Sequence, residues 1–218
     1  MTALSGLLLD LDGTLVLSEK AHRITWQHFF GSWGVEVDDE KYRSTFMGRR
    51  ANDVLAAERG PWTGHDLSAI TAAMMAHAET LGHVVDPVPG AASLIRRASA
   101  AGVPMAVVTS AGRVWAEDVL GRRLDVRDLV QVLVTAEDVA TGKPSPEGYL
   151  LGCERLGVPP AECAGVEDST SGVRALLDAG VKHVVGIATT TPAEDLLAAG
   201  ARYTVVDLRD RELTELVG

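Results

Sequence analysis

Asp10 and Asp12 stand one leucine apart at the end of an apolar run, LLLDLDGTL over residues 7–15. In extended chain, residues i and i+2 project to the same side, so both carboxylates would leave a strand end together, roughly 6 to 7 Å apart at a rise of about 3.3 Å per residue. Near an apolar sheet their repulsion is poorly screened, and a positive partner is expected. A plainer reading takes Asp12-Gly13 as a turn signal and Asp10 as a solvated strand end.

Three other polar groups follow apolar runs or open helices: Thr109-Ser110 after VPMAVV, Lys143 in TGKPSPE, and Glu167-Asp168 in GVEDST. Four acids, one lysine and small hydroxyls suit a hard divalent cation and a phosphate. Magnesium takes oxygen ligands, keeps waters, and completes its shell with one or two carboxylates and substrate phosphate. On this reading Asp10 attacks phosphorus, and Asp12 protonates the leaving oxygen and later deprotonates water. The metal and Lys143 neutralise the phosphoryl oxygens, and Ser110 hydrogen-bonds them. Each piece also has a bland role. Lys143 can be a solvated loop lysine, Glu167, Asp168 and Ser169 can load a helix N-terminus, and Thr109-Ser110 can cap a helix.

The elements that must position these groups alternate. From residue 91, helical stretches such as AASLIRRASAAG, PEGYLLGCERLG and TSGVRALLDAG separate short apolar runs, MAVV, QVLV, CAGV, VKHVVGIA and RYTVV. A polar segment lies between VVTS and QVLVT. This pattern predicts an α/β fold, a doubly wound, mostly parallel sheet with ligands outside the carboxyl ends of its strands. Residues 18 to about 83 show instead apolar residues at three- and four-residue spacing, in HRITWQHFFGSW and LSAITAAMMAHAETL, and read as an all-helical insert.

Composition narrows the function. The chain of 218 residues has 20 basic and 30 acidic side chains, a formal charge of −10, which argues against a nucleic-acid partner. No apolar run approaches the ~20 residues that a membrane span needs. With two cysteines, 153 and 163, and an N-terminus that enters a strand directly, a reducing cytoplasm is expected. The histidines at 22, 28, 65, 77, 83 and 183 show no structural-zinc spacing. A monomer or weak homo-oligomer acting on a small phosphorylated metabolite is the expectation.

DLDGT, VVTS, GKPSPE and GVEDS, in this order, resemble the four motifs of the haloacid dehalogenase superfamily of aspartate-nucleophile phosphotransferases. The resemblance covers the whole chain. It implies a Rossmann-like core over 1–16 and 87–218 with a helical cap over 17–86. It also implies Asp10 as nucleophile and magnesium ligand, and Asp12 as acid-base and backbone-carbonyl ligand. Glu167 and Asp168 would lie on the metal, Lys143 would neutralise charge, and Ser110, with Thr109 and Ala111 beside it, would bind phosphoryl oxygens. An acid at position 12 favours phosphoryl transfer over dehalogenation. FMGRRANDVL resembles the cap segment of sugar and glycerol phosphate phosphatases, with His22, Arg49, Arg50, Asn52 and Arg113 as candidate leaving-group contacts. The alternative is a β-phosphoglucomutase. There a phosphate-gripping arginine falls where this chain has Ala51, while His22 matches that branch. A non-catalytic binding protein on the same fold would lack Asp10, Asp12 or Lys143, and none is missing.

Overall fold

The computed structural model describes residues 4–46, 49–81 and 85–217. Strand β1 (Gly6–Leu9) is fully buried and leads into a short ribbon strand, β2 (Val16–Leu17). A helical segment follows: α1 (Glu19–Ser32), a single turn α2 (Asp39–Lys41) running into a π-helical turn (Tyr42–Phe46), α3 (Ala51–Ala57) and α4 (Leu67–Thr80). The chain returns through β3 (Asp86–Pro87), which pairs antiparallel with β2. Then come α5 (Ala91–Ala100), β4 (Met105–Val108), α6 (Arg113–Asp118), β5 (Val132–Val134), α7 (Glu147–Leu156), β6 (Cys163–Glu167), α8 (Thr170–Asp178), β7 (His183–Ile187), α9 (Ala193–Ala199), β8 (Tyr203–Val205) and α10 (Arg211–Leu216).

Six strands form one sheet in the order β5-β4-β1-β6-β7-β8, and every pairing is parallel. From β1 the chain builds outward through β4 and β5, then crosses to β6 on the other side of β1. The β1–β6 boundary is therefore the point where the winding reverses, where such sheets leave a crevice at their carboxyl edge.

Period-two alternation separates the two faces. Leu7 and Leu9 of β1 pack with Leu94 and Ile95 of α5, Ala116 of α6 and Leu213 of α10. Leu8 points the other way, into a layer with Tyr149 and Cys153 of α7, Leu176 of α8 and Leu196 of α9. The helical segment holds a separate aromatic cluster, in which Trp26 packs 4.8 Å from Phe46 and Phe29 packs 5.5 Å from Trp62.

The polar segment before QVLVT is helical. α6 continues into a π-helical turn (Val119–Arg123) because Ala116, Val119 and Leu120 are buried on one side, while Arg122 and Arg123 pair with Asp118 on the other. Its charges had hidden its apolar stripe. The β2/β3 ribbon was also unforeseen, since two residues carry too little pattern to register.

Candidate active site

β1 ends at Leu9, and the Asp10 amide continues its ladder by donating to Val166 O at 3.1 Å. The Asp10 carboxyl is thereby held at the carboxyl edge beside Glu167, the last residue of β6. Lys143 reaches the same point from the loop before α7. Its Nζ donates to Asp10 Oδ1, to Glu167 Oε1 at 2.6 Å and to Val108 O at 3.2 Å. Glu167 is held by further bonds, since Tyr149 Oη also donates to Oε1 at 2.9 Å, and Ser169 N and Oγ donate to Oε2 at 3.0 and 2.9 Å. Asp168 Oδ2 accepts from Thr190 Oγ1, and Thr189 Oγ1 donates to Gly13 O.

Two glycines are fixed by this crowding. Gly13 has a φ of +85°, and a Cβ there would overlap Asp168 Oδ2; one at Gly172 would overlap the Glu167 carboxylate.

Three buried carboxyls therefore share one buried ammonium. Burial raises Asp10, Glu167 adds to the rise and Lys143 opposes it, leaving Asp10 pushed up to about 7. Burial, with Asp10 and Glu167 nearby, also holds Asp168 well above the usual carboxylate range. For Glu167 burial is outweighed by the charge and hydrogen bond of Lys143, which keep it below its ordinary value. Lys143 is held well above the normal ammonium range: burial opposes its charge, but Asp10 and Glu167 overcome that.

The donor set fits a hard dication. One ligand oxygen from each of Asp10, Glu167 and Asp168 lies within 4.8 Å of the others, and Asp10 Oδ2 is buried without a hydrogen-bond partner. With one lysine for three carboxyls, ionising all three would leave two negative charges uncompensated, which a divalent ion would balance.

Asp12 departs from the strand-based expectation. The extended chain stops at Leu9, the turn through Gly13 redirects the backbone, and the Asp12 carboxylate lies outside the three-carboxyl cluster. Its Oδ1 accepts from Trp115 Nε1 at 3.0 Å and lies 3.6 Å from His22 Nε2. The expected face-to-face repulsion of Asp10 and Asp12 is thus minor, and Asp12 contributes least to the rise at Asp10.

The other expected residues divide into two groups. Ser110 Oγ, Arg49 Nε and Asn52 Oδ1 are buried with no hydrogen-bond partner among the described residues, so each has capacity for a ligand. The rest are engaged by the protein. Thr109 Oγ1 accepts from Ala111 N at 3.0 Å, and Ala111 O accepts from Ala136 N at 3.0 Å. Arg113 turns to Asp138, 2.5 Å away. Arg50 places its five N–H bonds on Asp53 and on the carbonyls of Ala136, Val139 and Ala140, leaving none for a leaving group in this arrangement. Gly48 of the cap segment and His83 lie outside the described residues.

Sequence reasoning passed over Trp115, Tyr149, Thr189 and Thr190. The two threonines follow β7, and the strand-end rule that selected Asp10 would have found them. Trp115 and Tyr149 carried no such signal, since aromatic residues in apolar helical stretches read as core.

The winding, the buried acidic edge and the inserted helices together define an α/β core with a carboxylate-and-lysine centre at the carboxyl ends of its strands. The chain belongs to the haloacid dehalogenase-like hydrolase family, whose model matches residues 4–180. It is 38% identical over 210 residues to validoxylamine A 7'-phosphate phosphatase of Streptomyces hygroscopicus subsp. limoneus, covering 96% of this chain and 94% of that protein. Hexitol phosphatase A of Escherichia coli (strain K12) is 34% identical over 189 residues, with 87% and 84% coverage. Among solved structures, CbbY from Rhodobacter sphaeroides in complex with phosphate superposes with a TM-score of 0.79 at 27% identity, covering 95% of this chain and 96% of that one.

Proposed function

We propose that this protein is a magnesium-dependent phosphatase that hydrolyses a small sugar or polyol phosphate through an aspartyl-phosphate on Asp10. The observation that carries the proposal is the buried Asp10–Lys143–Glu167 centre, with Asp10 Oδ2 free of any partner among the described residues and Asp168 alongside. The two phosphatases named above support the substrate class.

Asp10 attacks phosphorus; its new O–P bond forms as the bond to the leaving oxygen breaks, and Asp12 protonates that oxygen. Water then attacks the same phosphorus, Asp12 takes its proton, and Asp10 is released with inorganic phosphate. Lys143 holds positive charge beside the phosphoryl oxygens throughout, and Ser110 Oγ donates to one of them. Asp10 and Asp168 would hold magnesium with the Asp12 backbone carbonyl. Glu167, the third carboxylate of the cluster, would join them on the ion and also fixes Lys143. When bound, the ion supplies charge neutralisation at the phosphoryl group.

The helical segment is assigned the part of a cap over this edge, with residues 1–16 and 87–218 as core and 17–86 as cap. Arg49 and Asn52 are its leaving-group contacts. The reaction requires no nucleic acid or membrane, and among the described residues no helix is long and apolar enough to cross a bilayer. A reducing cytoplasm suits the two free thiols.

A panel of hexose, hexitol and cyclitol monophosphates, with and without magnesium, tests this reading. Magnesium-dependent release of inorganic phosphate is expected. The contact of His22 with Asp12, 3.6 Å, favours a phosphomutase as the second reading. Bisphosphate-primed interconversion of β-glucose 1-phosphate and glucose 6-phosphate that outruns phosphate release would establish it instead.

A further inference from the structure

The helical segment grips the sheet edge through bonds that the reaction scheme leaves unused. Arg50, just before α3, donates through Nη1 to Ala136 O at 3.1 Å and Val139 O at 2.9 Å, and through Nη2 to Ala140 O at 2.7 Å. Its Nε and second Nη2 hydrogen go to Asp53, at 3.1 and 2.6 Å. Asp53 Oδ2 in turn accepts from the Gly142 amide at 3.0 Å. From the core side, Glu147 accepts from the amides of Ala140 and Thr141 at 2.7 and 2.9 Å. The loop 136–142 is thus clamped between an ion pair on the helical segment and a carboxylate on α7.

The contact is tight at one residue. A Cβ on Gly142 would lie 2.8 Å from Asp53 Oδ2 and 3.2 Å from Arg50 Cβ, so a side chain there would force the two surfaces apart. The next residue is Lys143, whose Nζ must meet Asp10, Glu167 and Val108 O together.

We propose that Arg50 and Asp53 form a latch through which docking of the helical segment sets the position of Lys143. Both are positioning residues, and the inference rests on the phosphatase reading. The guanidinium draws three carbonyls toward one point, a convergence that those oxygens would not adopt without a donor between them. Asp53 neutralises Arg50 and fixes the amide adjacent to Lys143. When the helical segment lifts away, the loop loses four bonds to it, the one at Gly142 immediately before the lysine among them. The charge-neutralising group is then fully placed only when the segment is docked over substrate.

The test uses the full chain with magnesium and p-nitrophenyl phosphate, a small monoester. Arg50→Ala and Asp53→Asn should each lower kcat about 10- to 100-fold, the scale expected when a catalytic group is misplaced by about 1 Å. KM should stay within about threefold, since neither residue touches the leaving group. The double variant should be no slower than the worse single one, because both break one latch. Gly142→Ala should produce the same kcat-selective loss by steric means. Amide hydrogen exchange over residues 140–143 should rise in all these variants, and this readout does not need turnover. Folded variants with wild-type kcat, a loss confined to KM, additive losses in the double variant, or unchanged exchange at 140–143 would each overturn the latch. Failure of the wild type to hydrolyse any phosphate ester defeats the phosphatase reading, and the exchange measurement then decides the latch alone.

Discussion

The sheet edge and the helical segment above it are built on opposite plans. At the edge, residues from five separated stretches lock together: Asp10 and Gly13, Val108, Lys143 with Tyr149, Glu167 with Ser169, and the 189–190 threonines. Glu167 accepts four hydrogen bonds and Lys143 donates three, so their geometry is over-determined. The helical segment instead has its own aromatic core, Trp26, Phe29, Phe30, Phe46 and Trp62, and nearby keeps polar atoms unmatched, Arg49 Nε and Asn52 Oδ1. One region is cross-linked by its own hydrogen bonds and, among the described residues, leaves Asp10 Oδ2 and Ser110 Oγ open toward the reacting group; the other folds around its own aromatic core and leaves Arg49 Nε and Asn52 Oδ1 open. Chemistry that must be identical at every turnover belongs on the first, and recognition of a particular leaving group belongs on the second.

The sharpest way to break that division is at the nucleophile. Asp10→Asn is nearly isosteric but a poor nucleophile, and phosphate release should fall by on the order of 10³-fold or more. Circular dichroism should show an intact fold. A folded variant with near wild-type turnover would move the chemistry away from this edge.

Lys143→Met removes the ammonium that pairs with Asp10 and Glu167 in the three-carboxyl cluster. Breaking a buried pair leaves an uncompensated charge, worth about 3–5 kcal/mol. The metal-free variant should show a markedly lower unfolding midpoint in denaturant, and its kcat should collapse even where magnesium restores stability. If stability and rate both survived, the centre would not depend on Lys143.

A smaller effect concerns pH. Asp10 is raised from 3.8 to about 7 and Asp168 is raised well above 3.8, so the folded protein binds protons that the unfolded chain has released. Their contribution to stability is complete below about pH 4; that of Asp10 disappears as pH rises through about 7, and that of Asp168 is likewise lost as pH rises through its raised value. Glu167, held below its usual value, acts in the opposite sense and only in more acidic solution. Thermal unfolding in a chelator should therefore show a falling Tm between pH 5 and 8. Millimolar magnesium should raise Tm most at the alkaline end, by binding the folded state. A Tm that climbs with pH in the chelator, or ignores magnesium throughout, contradicts this account of the edge.

The smallest expected effect tests the helical segment. Arg49→Ala should raise KM for the preferred sugar or polyol phosphate several-fold with little change in kcat, because contacts to the leaving group act mainly in binding. Set beside the kcat-selective loss expected for Arg50→Ala, it separates two adjacent arginines by role. Equal effects from both would erase the distinction.

Much of this was legible in the sequence. Alternating apolar runs and helical stretches specified a parallel doubly wound sheet, since such strands are buried on both faces and such helices on one. The strand-end rule then collected Asp10, Asp12, Thr109, Ser110, Glu167 and Asp168 without coordinates. Lys143 was collected with them because TGKPSPE opens a helix, although it follows β5 by nine residues and meets Asp10 only through the folded loop. Tertiary structure alone decided the partners. Asp12 faces Trp115 and His22 because the chain turns at Gly13, and Arg50 faces the 136–142 loop rather than a ligand because α3 docks there. Local pattern records which side of a strand or helix is apolar, a short-range property. Which distant donor meets a given carboxylate depends on the packing of separate elements, and no spacing along the chain encodes it.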